Sequence, residues 1–467
     1  SIYKNGQSTM GALWQTDSHQ AEADSPSPAP LPKKFRPPRP WRRLFWLILL
    51  LVLLALGFAV LREMHSARWQ ARTLSQWAAQ LTYRVEPGAS DAILYPGAGP
   101  FDQRLGYSAL GDFLPRLLKR NYVIESQARF SAALMNYSRH GLFIPYAEKI
   151  QAGLSITDCR AAPLYQFNYP TQLYAQFSDV PPLMVRSLLF IENRELLDPQ
   201  PAQANPAVDW PRFAKAAWSQ VARQLHLPGQ TAGGSTLATQ LEKYRHSPDG
   251  LTLSGSEKLR QMLSASVRAY QHGPDTLLAR QNVVRDYLNS VPLSAVPGHG
   301  EVHGMAEGLR VWYGADFNQV NRALADTTNT APSLAARGLA LRQVLSLMIA
   351  QRRPSHYLTK GRDELAQLTD SHLRLLAQQG VIEPGLLKAA LASQVTYRDW
   401  QQQPTTQKIE ANKGISVARS RLAALLDRPL YDLDRLDLSA TSTLQGRLQE
   451  QITAYLKQLA DPVYAKE

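Results

Sequence analysis

The sequence predicts a mainly α-helical protein, with a helical domain behind a single N-terminal transmembrane helix and a small α/β module between the two. Three observations carry this prediction. Residues 44–61 form an uncharged apolar run. Residues 78–150 carry turn signals and short alternating runs, and from about Val180 onward apolar residues recur every three or four positions. A chain of 467 residues is long enough for two or three domains.

The apolar run predicts a membrane anchor. Its 18 residues would span about 27 Å as a helix, close to the thickness of the hydrocarbon layer. Six basic residues and no acid lie between Lys33 and Arg43, which predicts a cytoplasmic N-terminus and an extracytoplasmic bulk by the positive-inside rule. The alternative is a cleaved signal peptide, but this core is longer than a usual signal core and 43 residues precede it.

The charge balance suggests an anionic partner. Lys and Arg exceed Asp and Glu by 51 − 38 = +13. The anchor gives the basic arm a role at an anionic leaflet, so no nucleic-acid partner is predicted. The single cysteine, Cys159, excludes an internal disulfide, a cysteine-based zinc site and an iron–sulfur cluster within the chain.

The chain divides into five predicted parts. Residues 1–43 read as a disordered, Pro-rich, basic cytoplasmic tail and 44–61 as the transmembrane helix. Residues 62–154 read as a juxtamembrane helix that extends the anchor, followed by the α/β module. Residues 155–400 read as the helical domain, with no strand-rich stretch, and 401–467 as a linker and the start of a possible truncated C-terminal domain.

One candidate for chemistry is Glu192. It directly follows the apolar helical face of residues 183–191. A carboxylate at the edge of such a face is partly desolvated, which makes it a better proton acceptor. The alternative is a surface carboxylate or an ion-pair partner of Arg194.

A second candidate is the Gly-Gly-Ser-Thr run at residues 233–236, which opens an apolar-periodic helix. Free N–H groups at a helix N-terminus bind anions, and Ser235 or Thr236 can donate to such a ligand. Gln240 and Lys243 follow near one helix face. The alternative is an ordinary helix cap preceded by glycines.

The order of the motifs is more specific than any one of them. E-x-R at 192–194 is followed by G-G-S-T-L-x-x-Q-L-x-K at 233–243, a helix bearing Lys258, Y-L-N at 287–289 and W-Y-G at 312–314. This order resembles the peptidoglycan glycosyltransferases of family 51, which include the polymerising domains of class A penicillin-binding proteins and the monofunctional transglycosylases. The resemblance covers roughly half of the chain.

The resemblance implies a lysozyme-like helical domain on the outer leaflet of the bacterial cytoplasmic membrane. Such a domain joins lipid II units into glycan strands, and a glutamate matched by Glu192 deprotonates the acceptor hydroxyl. Gln261 stands at the position of the family's second catalytic glutamate. The residues matched to substrate-binding positions are Arg194, Ser235, Thr236, Gln240, Lys243 and Lys258. No protein metal site is implied, although a divalent cation such as Mg²⁺ could accompany the pyrophosphate. The implied partners are lipid II, the glycan strand, the membrane and possible cell-wall synthesis proteins.

The sequence departs from the family pattern at several positions. Gln261 can neither carry charge nor take a proton, and Glu257 places a negative charge where the family has a cation. Asp209 matches the acid that closes the first motif, but Asn205 replaces a histidine and Arg285 replaces an acid. Residues 436–459 resemble the opening of a transpeptidase domain, yet no S-x-x-K, S-x-N or K-T-G set follows, so no penicillin-binding activity is predicted.

Three functions remain open at this point. The chain polymerises lipid II, or it is a catalytically impaired relative that binds precursor or cell-wall components as a scaffold, or it cleaves glycan as lysozyme does. Convergence of Glu192, Lys243 and Lys258 on one groove open to the membrane is compatible with the first two readings. A Glu192 held in a salt bridge away from Lys243 leaves only the scaffold.

Overall fold

The computed structural model describes residues 39–97, 99–210, 235–399 and 413–459. The α-helices in these ranges are α1 (Arg39–Ser66), α2 (Arg68–Ala78), α3 (Pro100–Arg104), α4 (Leu110–Leu118), α5 (Ala132–Arg139), α6 (Pro182–Glu192), α7 (Leu237–His246), α8 (Gly255–Ala269), α9 (Leu277–Ser290), α10 (Gly304–Tyr313), α11 (Phe317–Ala325), α12 (Ala331–Ala350), α13 (Arg362–Gln378), α14 (Pro384–Ala392), α15 (Lys413–Leu426), α16 (Leu430–Leu433) and α17 (Gly446–Leu459). The strands are β1 (Tyr83–Pro87), β2 (Ser126–Phe130), β3 (Ala152–Thr157), β4 (Pro163–Tyr169), β5 (Pro292–Val296), β6 (Gly300–His303) and β7 (Asp437–Thr441). The prediction of a mainly α-helical chain is confirmed.

Helix α1 contains the predicted apolar run. Within it, Trp41–Ser66 is long and apolar enough to cross a membrane, with a mean hydropathy of 3.1 and no burial of its apolar window inside the protein. Helix α12 passes the same test of length and composition at a mean hydropathy of 1.2, but 67% of its window is buried. Helix α1 therefore fits a single-pass membrane anchor, and α12 is a core helix.

The juxtamembrane region is two helices rather than one extension of the anchor. Ala67 adopts a left-handed conformation at φ 49°, which ends α1 and separates it from α2. The carboxylate of Glu63 accepts hydrogen bonds from the backbone N–H groups of Trp69 and Gln70 at 3.1 and 2.9 Å. These bonds satisfy donors that the first turn of α2 leaves free.

Strands of the α/β module take part in two small sheets. Strands β1 and β2 pair antiparallel. Strand β3 lies at the centre of the second sheet, antiparallel to β4 and parallel to β7. The predicted boundary between residues 154 and 155 falls inside β3. Because β7 comes from the C-terminal part of the chain, that part packs against the module.

The helical domain has the largest hydrophobic core. Leu341, Val344, Leu345 and Leu347 of α12 are fully buried, and helices α6, α10, α11, α13 and α14 pack against that helix. The buried second half of this helix gains more from packing than from its own helix propensity.

From about Val180 to residue 399 the described residues contain one short hairpin, in which β5 and β6 pair between α9 and α10. This hairpin is not a strand-rich stretch, and the region is otherwise helical as expected. Gly298 and Gly300, with φ values of 76° and 90°, supply the backbone conformations that this turn needs. The strands on either side of this turn have only five and four residues.

Candidate active site

Glu192 is the last residue of α6. The apolar residues Leu183, Met184 and Leu188 bury one face of this helix. Asn193 leaves the helical conformation at φ −161°, so Glu192 stands at the exit of the helix. The packing of α6 thereby fixes where this carboxylate lies.

Two amides hold the half-buried carboxylate of Glu192. Gln240 Nε2 donates to one oxygen at 3.0 Å, and Gln351 Nε2 donates to the other at 3.1 Å. In the described part of the chain, no cation lies within salt-bridge distance of Glu192. The surface ion pair with Arg194, which the sequence left open, is therefore absent here.

Helix α7 begins at the predicted cap. The Thr236 hydroxyl accepts from the Thr239 backbone N–H at 3.3 Å, and the Thr239 hydroxyl accepts from the Thr236 backbone N–H at 2.9 Å. Thr236 is only 1% exposed, so its side chain is committed to the cap. The glycines at 233 and 234 lie outside the described residues.

A cavity of about 670 Å³ contains four of the predicted residues. Glu192, Ser235, Gln240 and Lys243 all line it. One turn of α7 separates Gln240 from Lys243, so this helix presents an amide and an ammonium to the same space. The structure therefore brings the candidate base and a candidate phosphate ligand together.

Lys258 lies behind Ser235, which forms part of the cavity wall. Its ammonium donates to Ser235 Oγ at 2.8 Å, with Thr239 Oγ1 at 3.4 Å. Burial and the nearby Lys243 lower the pKa of Lys258 to about 8. Burial also lowers the pKa of Lys243, while Glu192 opposes that shift. Glu192 and Lys243 thus line one cavity, and Lys258 contacts the wall of that cavity through Ser235.

Residues 160–378 match the family model described as Transglycosylase. This part of the chain is a transglycosylase domain. The resemblance to the peptidoglycan glycosyltransferases is thereby confirmed at the level of the family, and a peptidoglycan glycosyltransferase-like function follows in general terms. No curated protein matches the chain.

Arg194 and Gln261 do not line the cavity of the transglycosylase domain. The Arg194 guanidinium stacks on the Phe190 ring at 4.2 Å and is exposed. Gln261 is only 1% exposed and donates to Ser247 Oγ at 2.9 Å and to Thr252 Oγ1 at 3.0 Å. Its amide therefore connects α8 to the loop before it and does not reach the cavity that Glu192 lines.

Glu257 also turns away from the cavity. It accepts from Ser247 Oγ at 2.5 Å and pairs with Arg260 at 3.1 Å. The negative charge that departs from the family pattern is thus compensated locally. Of the other departures, Asn205 donates to Ser266 Oγ at 3.0 Å, and Arg285 pairs with Asp286 at 2.7 Å.

Asp209 lies in a different place from Glu192. Together with Glu195 it lines a separate cavity of about 290 Å³. The match of Asp209 to the first motif therefore does not bring its side chain to the lysine-bearing cavity.

Several cavity residues were not predicted from the sequence. They are Arg104, Arg245, Asp249, His303, Gln351 and Arg352. Arg104 comes from α3 of the α/β module, outside the residues that match the transglycosylase family. Gln351 directly follows the buried helix α12 and could have been noted as an amide beside two arginines.

The additional cations make the cavity strongly basic. Arg104, Lys243, Arg245 and Arg352 line it, against the carboxylates of Glu192 and Asp249. Arg245 is already paired with Asp286 at 3.3 Å. A cavity with this balance suits a ligand that carries two or more negative charges.

His299 and His303, on either side of the β5–β6 turn, each lie near a carboxylate. His303 Nε2 lies 3.0 Å from Glu301, and His299 Nε2 lies 3.7 Å from Glu307. Burial and the nearby Arg104 lower the pKa of His303 to about 4, so its ring is neutral at pH 7. Within the ranges that the structure describes, no three His, Cys, Asp or Glu side chains form a metal cluster. A divalent cation at the pyrophosphate remains a prediction.

A buried charge cluster joins the module to α7. His246 Nδ1 lies 2.9 Å from Asp102, and its Nε2 lies 2.8 Å from Glu148. Arg268 of α8 pairs with Glu148 at 3.0 Å and with Glu242 at 2.6 Å. The module therefore supports the helix that carries Gln240 and Lys243.

Proposed function

We propose that the chain is a peptidoglycan glycosyltransferase that polymerises lipid II into glycan strands at the outer face of the bacterial cytoplasmic membrane. The observation that carries this proposal is the convergence of Glu192 and Lys243 on one cavity, with Lys258 hydrogen-bonded to its wall. A base and buried cations are the two requirements of sugar transfer from a pyrophosphate donor.

The proposed step begins at Glu192. Its carboxylate takes the proton of the acceptor 4-hydroxyl, and the freed oxygen attacks C1 of the lipid-linked donor sugar. The bond from C1 to the pyrophosphate oxygen breaks, the pyrophosphate lipid leaves with the electron pair, and the configuration at C1 inverts. The amides of Gln240 and Gln351 orient the carboxylate through their 3.0 and 3.1 Å hydrogen bonds.

The cations of the cavity would stabilise the leaving pyrophosphate. Lys243 lines the space beside Glu192, and Arg104 and Arg352 add guanidinium groups. Preorganised positive charge at the site where negative charge develops lowers the barrier without reorganisation during the reaction. Glu192 would thus serve the acceptor while the cations serve the donor.

The membrane placement follows from the anchor. Helix α1 keeps the chain at the bilayer, where a lipid-linked donor resides. The six basic residues before the apolar run favour a cytoplasmic N-terminus, and the transglycosylase domain would then lie on the other side.

The test compares three proteins in detergent with labelled lipid II and a divalent cation. The parent should form glycan strands, and Glu192→Gln should lose roughly two to four orders of magnitude in rate because it removes the base. Glu195→Gln is the matched control, since Glu195 is exposed and lines a different cavity. Strand formation by Glu192→Gln at the parent rate would refute the proposal.

A second candidate is a precursor-binding scaffold for cell-wall synthesis proteins. Gln261 favours it, because an uncharged and buried side chain stands where the family has its second glutamate. For the scaffold, neither the parent nor Glu192→Gln would make strands, and Lys243→Ala would weaken lipid II binding. Strands made by the parent would exclude this candidate.

A further inference from the structure

A second cavity adjoins the one that contains Glu192. Its volume is about 750 Å³, and Pro100 and Arg104 of α3 line both cavities. Its other walls come from residues 103–112, from the β5–β6 hairpin and from residues 428–436. Arg104 therefore lines both spaces.

Three guanidinium groups line the second cavity, and each stacks on an aromatic ring. Arg104 lies 5.3 Å from the Phe101 ring centroid, Arg428 lies 5.5 Å from that of Phe113, and Arg435 lies 3.9 Å from that of Tyr431. Stacking holds the plane of a guanidinium while leaving its N–H edge open to a planar anion.

These arginines are not paired with carboxylates. Among the described residues, none of the three has an Asp or Glu oxygen within 4.0 Å. Arg435 donates to the His299 carbonyl at 2.7 Å, and its buried Nε has no partner. Unpaired guanidinium groups beside a cavity are available for a ligand that supplies the missing acceptors.

The second cavity is lined by both positive and negative side chains. Three carboxylates, those of Asp112, Glu301 and Asp432, line it together with the three arginines. Glu301 is already bound to His303 at 3.0 Å. A suitable ligand carries separate carboxylates on an otherwise neutral polar framework, rather than a dense run of negative charge.

We propose that the second cavity binds the peptide carboxylates of the glycan unit next to the reacting sugar. This inference rests on the proposed function, because it takes a peptide-bearing glycan as the substrate. A strand that leaves the Glu192 cavity past Arg104 enters the second cavity, where Arg428 and Arg435 would meet its peptide. Both Arg104 and residues 428–436 lie outside the part of the chain that matches the transglycosylase family, so the flanking segments supply the three arginines of this subsite.

The test measures binding of a soluble disaccharide-peptide to the full chain in detergent. One probe has free peptide carboxylates, and the other is the same compound with its carboxylates amidated. The parent should bind the free form roughly tenfold more tightly than the amidated form. Arg428→Gln should remove most of that preference, whereas Arg428→Lys should retain part of it because it keeps the charge.

Arg374→Gln is the matched control, because Arg374 is exposed on α13 and lines none of the cavities described here. Equal binding of both probes by the parent, or an unchanged preference in Arg428→Gln, would overturn the inference. Polymerisation of lipid II is measured separately. Its absence, together with a preference for carboxylates that depends on Arg428, would refute the catalytic proposal and leave the binding subsite standing.

Discussion

The chemistry of individual residues is set by how far each one is removed from water. Lys258 is half-buried, beside Lys243, and its pKa falls to about 8. Glu192 is held by amides rather than by a cation, so its carboxylate remains available to a substrate hydroxyl. Because of burial and the neighbouring charge, Lys258 loses its proton close to neutral pH, whereas an exposed lysine stays charged there.

The first prediction concerns the pH dependence of Lys258. Because its pKa in the free protein is about 8, Lys258 loses its charge above that pH and pyrophosphate binding weakens. We expect kcat/KM for lipid II to fall as the pH rises through about 8. Lys258→Arg should move this alkaline limb to higher pH, because an arginine stays charged.

Lys258→Gln is the complementary variant. It should lower kcat/KM by roughly one to two orders of magnitude at pH 7 and flatten the alkaline limb. An alkaline limb that is the same in the parent, Lys258→Arg and Lys258→Gln would show that another group titrates there.

At the scale of elements, the position of α7 depends on its first turn. Thr236 and Thr239 satisfy two backbone donors that the helix would otherwise leave unpaired. This helix carries both Gln240 and Lys243, so its start determines where they face.

The second prediction is that Thr236→Ala destabilises the protein. Loss of the cap should lower the free energy of unfolding by about 1 to 2 kcal/mol. Thr236→Ser should cost much less, because it keeps the hydroxyl that accepts from Thr239. Denaturant unfolding measures the difference, and equal stability of the Ala and Ser variants would contradict the role of the cap.

The third prediction concerns the junction of β6 and α10. Gly304 has φ 79°, and a Cβ there would lie 2.3 Å from the Asn289 carbonyl oxygen. Gly304→Ala should therefore lower the unfolding free energy by at least about 2 kcal/mol. An alanine is strained at this φ, and the atoms of Asn289 that its Cβ would meet belong to the backbone and cannot move away easily. Gly255→Ala is the control, because a Cβ at that position meets nothing within 4 Å and it should change stability little. Two variants of equal stability would contradict this close packing.

At the scale of the whole molecule, the α/β module and the transglycosylase domain share buried charges. His246 of α7 contacts Asp102 and Glu148 of the module. Burial alone would lower the pKa of His246, but Glu148 and Asp102 raise it to about 9. Burial would raise the pKa of Glu148, but His246 and Arg268 lower it to about 2. The cluster therefore holds a charged imidazolium between carboxylates at pH 7.

The fourth prediction follows from the raised pKa of His246. A group whose pKa is higher in the folded state contributes its full stabilisation below the unfolded pKa of about 6.5. That contribution is lost as the pH rises through about 9. The thermal midpoint should therefore fall between pH 6.5 and 9 in the parent. The thermal midpoint of His246→Gln should be lower than that of the parent at pH 6.5 and should fall less as the pH rises. Parallel curves of midpoint against pH for the two proteins would contradict the raised pKa of His246.

The sequence predicts local features better than distant pairings. An uncharged run marks α1, and helical periodicity with ordered motifs locates Glu192, Gln240 and Lys243 because each depends on neighbours a few residues away. The parallel pairing of β7 with β3 joins segments almost 300 positions apart, for which no local pattern exists. Arg104 was missed for the same reason, since it reaches the cavity from the module through the tertiary fold.

The family resemblance did not predict where every matched side chain lies. Gln261 stands at the position of the family's second glutamate and so was expected near the same chemistry. The structure instead buries its amide against Ser247 and Thr252, where it stabilises the loop before α8. Which side of a helix meets the cavity is decided by packing between helices, and the motif does not contain that information.

The central claim is that Glu192 is the base of a glycosyl transfer and not merely part of a binding site. The most direct measurement determines lipid II binding and strand formation on the same Glu192→Gln preparation. We expect a dissociation constant within about threefold of the parent, because Gln keeps the size and the hydrogen-bonding capacity of the side chain, together with a rate lower by at least about a hundredfold. Strand formation at the parent rate, or a loss of rate explained entirely by a loss of binding, would contradict the claim.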